Sequence, residues 1–306
     1  MKVIVGQMER VLSRLGLCIS IAPIAGVAVL LAVIFVCLPA RSCATEPLQV
    51  TVSILPQVWF VEQIGGDMVE VAVLVGPGHS PATYEPTPRQ MAQLEQADFF
   101  LAAGVPFEKG LVPRVRALPH APVIAGPEAT GHDHHHDIDP HTWLDPQQAM
   151  ALADTVGLTL QAMSPPEADA IAERCAALKA GLADLEEQVK LILAPYQGRT
   201  FIVFHPAFGH FATAFDLVQI AVEADGHEPG PRHLAEVIEM ARASGARSVI
   251  TQPQFSRKSV TTVADAIGAE VVVLDPLAAD YPANLLDMAR TLAARFAVED
   301  SPEDGS

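Results

Sequence analysis

The residues best equipped for chemistry lie between Gly131 and Pro146, in GHDHHHDIDPHTWLDP. Five of the 11 histidines (His132, His134, His135, His136, His141) and four aspartates (Asp133, Asp137, Asp139, Asp145) fall there. Imidazole nitrogens combined with carboxylate oxygens suit Zn(II), Mn(II) or another first-row cation. The stretch divides in two. GHDHHHD carries a compositional signal only, and reads either as an accessory metal-attracting loop or as a plain polar loop. In DPHTWLDP, prolines on both sides of His141 restrict the backbone, so His141 reads as a fixed ligand.

A fixed ligand needs elements that hold it. Strand-like segments recur along the chain: LQVTVSIL (48–55), VEVAVLVG (69–76), ADFFLAAG (97–104) and PVIAG (122–126), then TFIVFH (200–205), FDLVQIAV (215–222), SVITQP (248–253) and EVVVLDP (270–276). Helical patterns separate them. This alternation predicts an α/β protein with parallel sheets, whose ligands gather at the C-terminal ends of strands. His205 and Asp275 each close a strand pattern and so belong to that edge. By type alone, His205 fits a buried structural histidine equally well, and Asp275 a turn or helix cap. Asp145 and Pro146 predict a helix start and a helix over 145–163. From Pro166 to Leu193, Ile171, Cys175, Leu178, Leu182, Leu185, Val189 and Ile192 alternate spacings of four and three. They predict a single helix of about 42 Å, a connecting spine between two βα halves.

The chain has 306 residues, half of them hydrophobic, which is enough for two domains. Its formal charge of −17 argues against nucleic acid and favours cationic partners. Lys2, Arg10 and Arg14 precede an uncharged run from Leu15 to Ala40, and Ser42-Cys43-Ala44 offers small residues before Thr45. Residues 1–44 therefore read as a secretory signal. A retained anchor through residues 15–40 and a lipid on Cys43 are the alternatives. Cys18, Cys37 and Cys43 lie in this segment, so Cys175 would stand alone after cleavage, with no internal disulfide. Its place in the helical stripe makes it a small core residue.

Four segments taken together carry a resemblance: GHSPATYEPTP (78–88), DPHTWLDP (139–146), FHPAFGHFA (204–212) and LDPLA (274–278). In this order and spacing the chain, from about residue 48 to 298, resembles the metal-binding components of bacterial ABC importers, the ZnuA/TroA-like (cluster A-I) solute-binding proteins. The resemblance implies two (β/α) lobes joined by a long rigid helix, with one metal in the cleft between them. The matching boundaries are 45–165 for the N-terminal lobe, 166–196 for the connecting helix and 197–306 for the C-terminal lobe. It also implies that His141, His205 and Asp275 are ligands. The family's first ligand is a histidine directly before T-Y-E-P, where this chain has Ala82. His79, three residues upstream, is the expected replacement; a water or anion, Glu85, or a histidine of the 132–136 run are the others.

A histidine in the third position implies Zn(II), with Mn(II) less favoured. The implied protein is a periplasmic monomer that is not an enzyme. It hands its ion to an ABC permease and touches the membrane only through its N-terminal segment. A secreted zinc-dependent hydrolase with Glu85 as base, and a metal-binding adhesin on the same scaffold, are the alternatives. Trp143 reads as cleft wall, and His210, His227 and His233 have no motif role.

Overall fold

Each half of the chain builds its own four-stranded parallel sheet. In this computed structural model, which describes residues 46–126, 139–223, 230–255 and 257–300, β1 (Leu48–Ile54), β2 (Val69–Val75), β3 (Phe99–Leu101) and β4 (Val123–Ala125) pair in the order β2-β1-β3-β4. β5 (Thr200–Val203), β6 (Val218–Ala221), β7 (Ser248–Thr251) and β8 (Glu270–Val273) repeat that order as β6-β5-β7-β8. Every pairing is parallel. In both sheets the chain visits one neighbour of the first strand and then crosses to the other. The crevice of each sheet therefore opens beyond the C-terminal ends of β1 and β3, and of β5 and β7.

The helices are α1 (Leu55–Gly65), α2 (Pro88–Gln96), α3 (Glu108–Arg116), α4 (Pro146–Met163), α5 (Ala168–Leu193), α6 (Gly209–Ala214), α7 (Pro231–Ser244), α8 (Arg257–Ile267) and α9 (Tyr281–Asp300). Asp145 caps α4 as expected, accepting from the Gln147 N–H at 2.8 Å. Thr87 and Gln90 close a reciprocal cap on α2, directly after the TYEP sequence. Helix α5 is 26 residues long, about 39 Å. It buries Ile171, Cys175, Leu178, Leu182, Leu185 and Val189, in one core cluster with Val52, Phe60 and Leu160 of the first half and Phe208 and Leu285 of the second. Burial of each large apolar side chain contributes about 1.5–3 kcal/mol, so one core joins both halves. Tyr281, at the start of α9, stacks on Trp59 at 5.4 Å and meets Phe60 edge-on, tying α9 to α1.

The strands are shorter than the sequence reading, β3 covering only Phe99–Leu101 of the expected 97–104. The strand expected at 215–222 is only Val218–Ala221. Phe215 to Leu217 instead terminates α6: Asp216 takes a left-handed φ of 53° and the Leu217 N–H donates to the Ala212 carbonyl at 2.8 Å. Helix α9 begins at Tyr281, where Asp280 accepts from the Ala283 N–H at 3.2 Å and caps it. The N-terminal segment 1–44, the run His132, His134, His135 and His136, and His227 lie outside the described residues. Among the described residues, no helix is long and apolar enough to cross a membrane.

Candidate metal centre

His141 is held by a short local loop. Its backbone N–H and its ring Nδ1 both meet Asp139 Oδ1, at 3.0 and 2.6 Å. Pro140 between them keeps the loop tight, and the Thr142 N–H donates back to the Pro140 carbonyl at 2.8 Å. The 3-10 turn Thr142–Leu144 follows and leads into α4.

His205 comes two residues after β5 ends, at the expected sheet edge. Its ring stacks on Phe255 with centroids 5.0 Å apart, and its carbonyl accepts from Gln252 Nε2 at 2.8 Å. Its Nδ1 lies 2.5 Å from Glu223 Oε2. The rings of His141 and His205 meet edge-on, with centroids 5.4 Å apart. Both Nδ1 atoms face carboxylates, so the proton of each neutral ring belongs on Nδ1 and the lone pair on Nε2.

Asp275 follows β8 and is fixed on the same side of the sheet. Its Oδ1 accepts from Gln254 Nε2 and from the Leu277 N–H, both at 3.0 Å, and its carbonyl accepts from Asn284 Nδ2 at 2.8 Å. His79 is different. It is exposed on the β2–α2 loop, where its ring lies edge-on to Tyr84 at 5.9 Å. Tyr84 in turn bonds Gln90 at 2.9 Å and packs on Phe107. Ala82 is exposed beside it. Among the described residues, no three His, Cys, Asp or Glu side chains converge closely enough to hold an ion. The arrangement thus pairs His141 with His205 and leaves His79 and Asp275 outside that pair.

Trp143 links two segments of the chain. It is 3% exposed, its Nε1 donates to the Pro276 carbonyl at 2.8 Å, and its own carbonyl accepts from the Tyr281 hydroxyl at 2.7 Å. The segment carrying His141 is thereby bonded to the turn carrying Asp275.

Sequence reasoning missed several partners. Glu223 closes the predicted strand 215–222 just as His205 closes its own, which was the available signal. His210, given no role, contacts the Asp139 carbonyl through Nε2 at 3.0 Å. Gln252 and Gln254 carried no signal beyond the QPQ sequence itself.

Burial pushes the His141 imidazole below its ordinary value. Asp139 pulls the other way, and the nearby His205 and His210 add to the lowering. His141 is therefore neutral at neutral pH, the form a cation requires. Burial would raise the Asp139 carboxyl, but the hydrogen bond and charge of His141 outweigh it and keep the group below its ordinary value.

The family described as zinc-uptake complex component A, periplasmic (ZnuA), matches residues 50–297. A putative metal-binding protein of Chlamydia muridarum is 28% identical over 250 residues, covering 80% of this chain and 90% of that protein. The zinc-binding lipoprotein AdcA of Streptococcus pneumoniae is 27% identical over 254 residues, covering 76% of this chain. The match takes in 51% of AdcA, so the chain corresponds to about half of that relative. A solved structure described as "Crystal structure of ZnuA" aligns with a TM-score of 0.76 at 37% identity, covering 82% of this chain and 99% of the other.

Proposed function

The chain belongs to the ZnuA family of periplasmic zinc-uptake components, and we propose that it is an extracytoplasmic solute-binding protein that captures one Zn(II) as cargo and delivers it to an ABC permease. The observation that carries this reading is the His141–His205 pair: two imidazoles 5.4 Å apart, each with Nδ1 against a carboxylate. Two imidazoles with a carboxylate and one further donor make a tetrahedral-capable set that favours Zn(II) over Mn(II).

In this reading His141, His205 and Asp275 hold the ion, and His79 completes the shell. His79 sits on an exposed loop with glycines on its N-terminal side, Gly78 having a φ of 76°. That loop bends toward the pair when the ion binds. Trp143 and Tyr281 hold the His141 and Asp275 segments together meanwhile. The His132–His136 run collects ions outside the primary shell. The protein acts as a monomeric carrier rather than an enzyme, and only residues 1–44 engage the membrane.

Diffraction from zinc-soaked crystals at the zinc edge tests this. The expected result is one strong anomalous peak bonded to Nε2 of His141 and of His205, with Asp275 and His79 beside it. A water in the place of His79 would leave capture standing and remove His79 alone. A peak bonded to neither histidine overturns the reading.

A further inference from the structure

The parallel register of β5 and β6 pairs Thr200 with Val218 and Val203 with Ala221, an offset of 18 residues. Continued past the strand ends, the same offset sets His205 beside Glu223. The Glu223 N–H donates to the Phe204 carbonyl at 2.8 Å, so the ladder extends that far. The Glu223 side chain is 8% exposed and its carboxylate meets the His205 Nδ1. A carboxylate so nearly removed from water needs a donor, and the imidazole N–H supplies one.

His141 has an equivalent partner reached by a different route. Asp139 is two residues away, and both its ends are engaged by the other half of the chain. His210 contacts its carbonyl at 3.0 Å. At Gly209 a Cβ would lie 2.7 Å from Asp139 Oδ2, so the carboxylate occupies the space that a side chain there would take. Two unrelated local structures therefore place a carboxylate oxygen on Nδ1 of the two site histidines.

We propose that Asp139 and Glu223 are positioning residues: each carboxylate accepts the Nδ1–H of one histidine, holds that ring in the Nδ1-protonated tautomer and reserves Nε2 for the ion. A free neutral imidazole prefers its proton on Nε2, the nitrogen an ion would need here. Without the carboxylates each ring must change tautomer and orientation before it can ligate. Carboxylates behind metal-binding histidines typically contribute about 10- to 100-fold in affinity. The zinc part of this inference rests on the proposed function, whereas the tautomer part does not.

The test uses metal-free protein with 15N-labelled imidazoles at pH 8, where the ring nitrogen shifts report the tautomer. In the unmodified chain both His141 and His205 should show the Nδ1–H form. Glu223→Leu should convert His205 largely to Nε2–H while His141 keeps its form, which controls for folding. Glu223→Gln retains an acceptor oxygen and should preserve the His205 tautomer. Asp139→Leu should do to His141 what Glu223→Leu does to His205. Competition with a zinc chelator should then show a roughly 10- to 100-fold loss for each leucine variant and a smaller loss for Glu223→Gln. If His205 keeps the Nδ1–H form in Glu223→Leu, or if that variant binds Zn(II) as tightly as the unmodified chain, the inference is overturned. If the tautomers respond as expected but no variant and no unmodified protein binds Zn(II), the positioning stands and the zinc reading falls.

Discussion

The indole N–H of Trp143 donates to the carbonyl of Pro276 across 133 residues of sequence, at 2.8 Å. Two residues before Trp143 is His141, and one residue before Pro276 is Asp275. Two candidate ligands from opposite halves of the chain are thus set by one buried hydrogen bond. Trp143→Phe keeps most of the apolar volume and leaves the Pro276 carbonyl without this donor, which costs about 1–3 kcal/mol. The urea midpoint should fall accordingly, and zinc affinity should fall with it. Unchanged affinity in a destabilised variant would separate this bond from the site.

Burial lowers the His141 imidazole and Asp139 partly offsets that. A folded-state value below the unfolded one means that the native protein binds fewer protons as pH falls through the ordinary value of about 6.5. Stability of the metal-free protein attributable to His141 is therefore fully present above that pH and is lost below it. An NMR titration of His141 should give a midpoint below about 6.5. Asp139→Asn removes the opposing influence and should move the midpoint further down, whereas an upward move would contradict the electrostatics assigned to the pair.

Much of the fold was legible because hydrophobic periodicity reports it directly. The alternation of strands with helices, the stripe from Ile171 to Val189 and the Asp145–Pro146 helix start all left local signals. The end of α6 did not: Asp216 is at positive φ, a conformation aspartate tolerates better than most residues but adopts too seldom for its type to mark a helix end. In the site, His141, His205 and Asp275 could be picked out by motif and by strand ends. Their partners depend on register and on tertiary contact. Glu223 reaches His205 only through the 18-residue offset of β5 and β6, and His210 reaches Asp139 only because α6 packs under the His141 loop.

Glu108 is fully buried at the start of α3. It accepts from the Ala103 and Gly104 N–H groups at 2.8 and 2.9 Å and from the Ser53 hydroxyl. Burial nonetheless dominates and pushes its carboxyl up from 4.5 to about 7. A raised value means that the associated stability is fully present below about 4.5 and is lost as pH rises through about 7. From 4.5 to about 7, at about 1.36 kcal/mol per pH unit, the effect is at most roughly 3.5 kcal/mol. Denaturant melts between pH 5 and 8 should show this decline, and Glu108→Gln should flatten it. A variant with the same slope as the unmodified protein would assign the titration to another group.

Gly209→Ala places a methyl group 2.7 Å from Asp139 Oδ2. The contact is with the end of a side chain, so Asp139 can rotate away and the fold should survive with a cost near 1 kcal/mol. His141 would then lose its partner. Zinc affinity should drop several-fold while the thermal midpoint moves by only a few degrees. A drop in stability with unaltered affinity would show that Asp139 can hold His141 from another position.

The most direct measurement is a Zn(II) titration of residues 47–306 against a competing chelator, run side by side for the unmodified chain, His141→Ala and His205→Ala. The unmodified chain should take up one tight equivalent, and each alanine variant should lose it while keeping its circular dichroism spectrum. Tight, stoichiometric binding retained in either folded variant would contradict capture of the ion between His141 and His205.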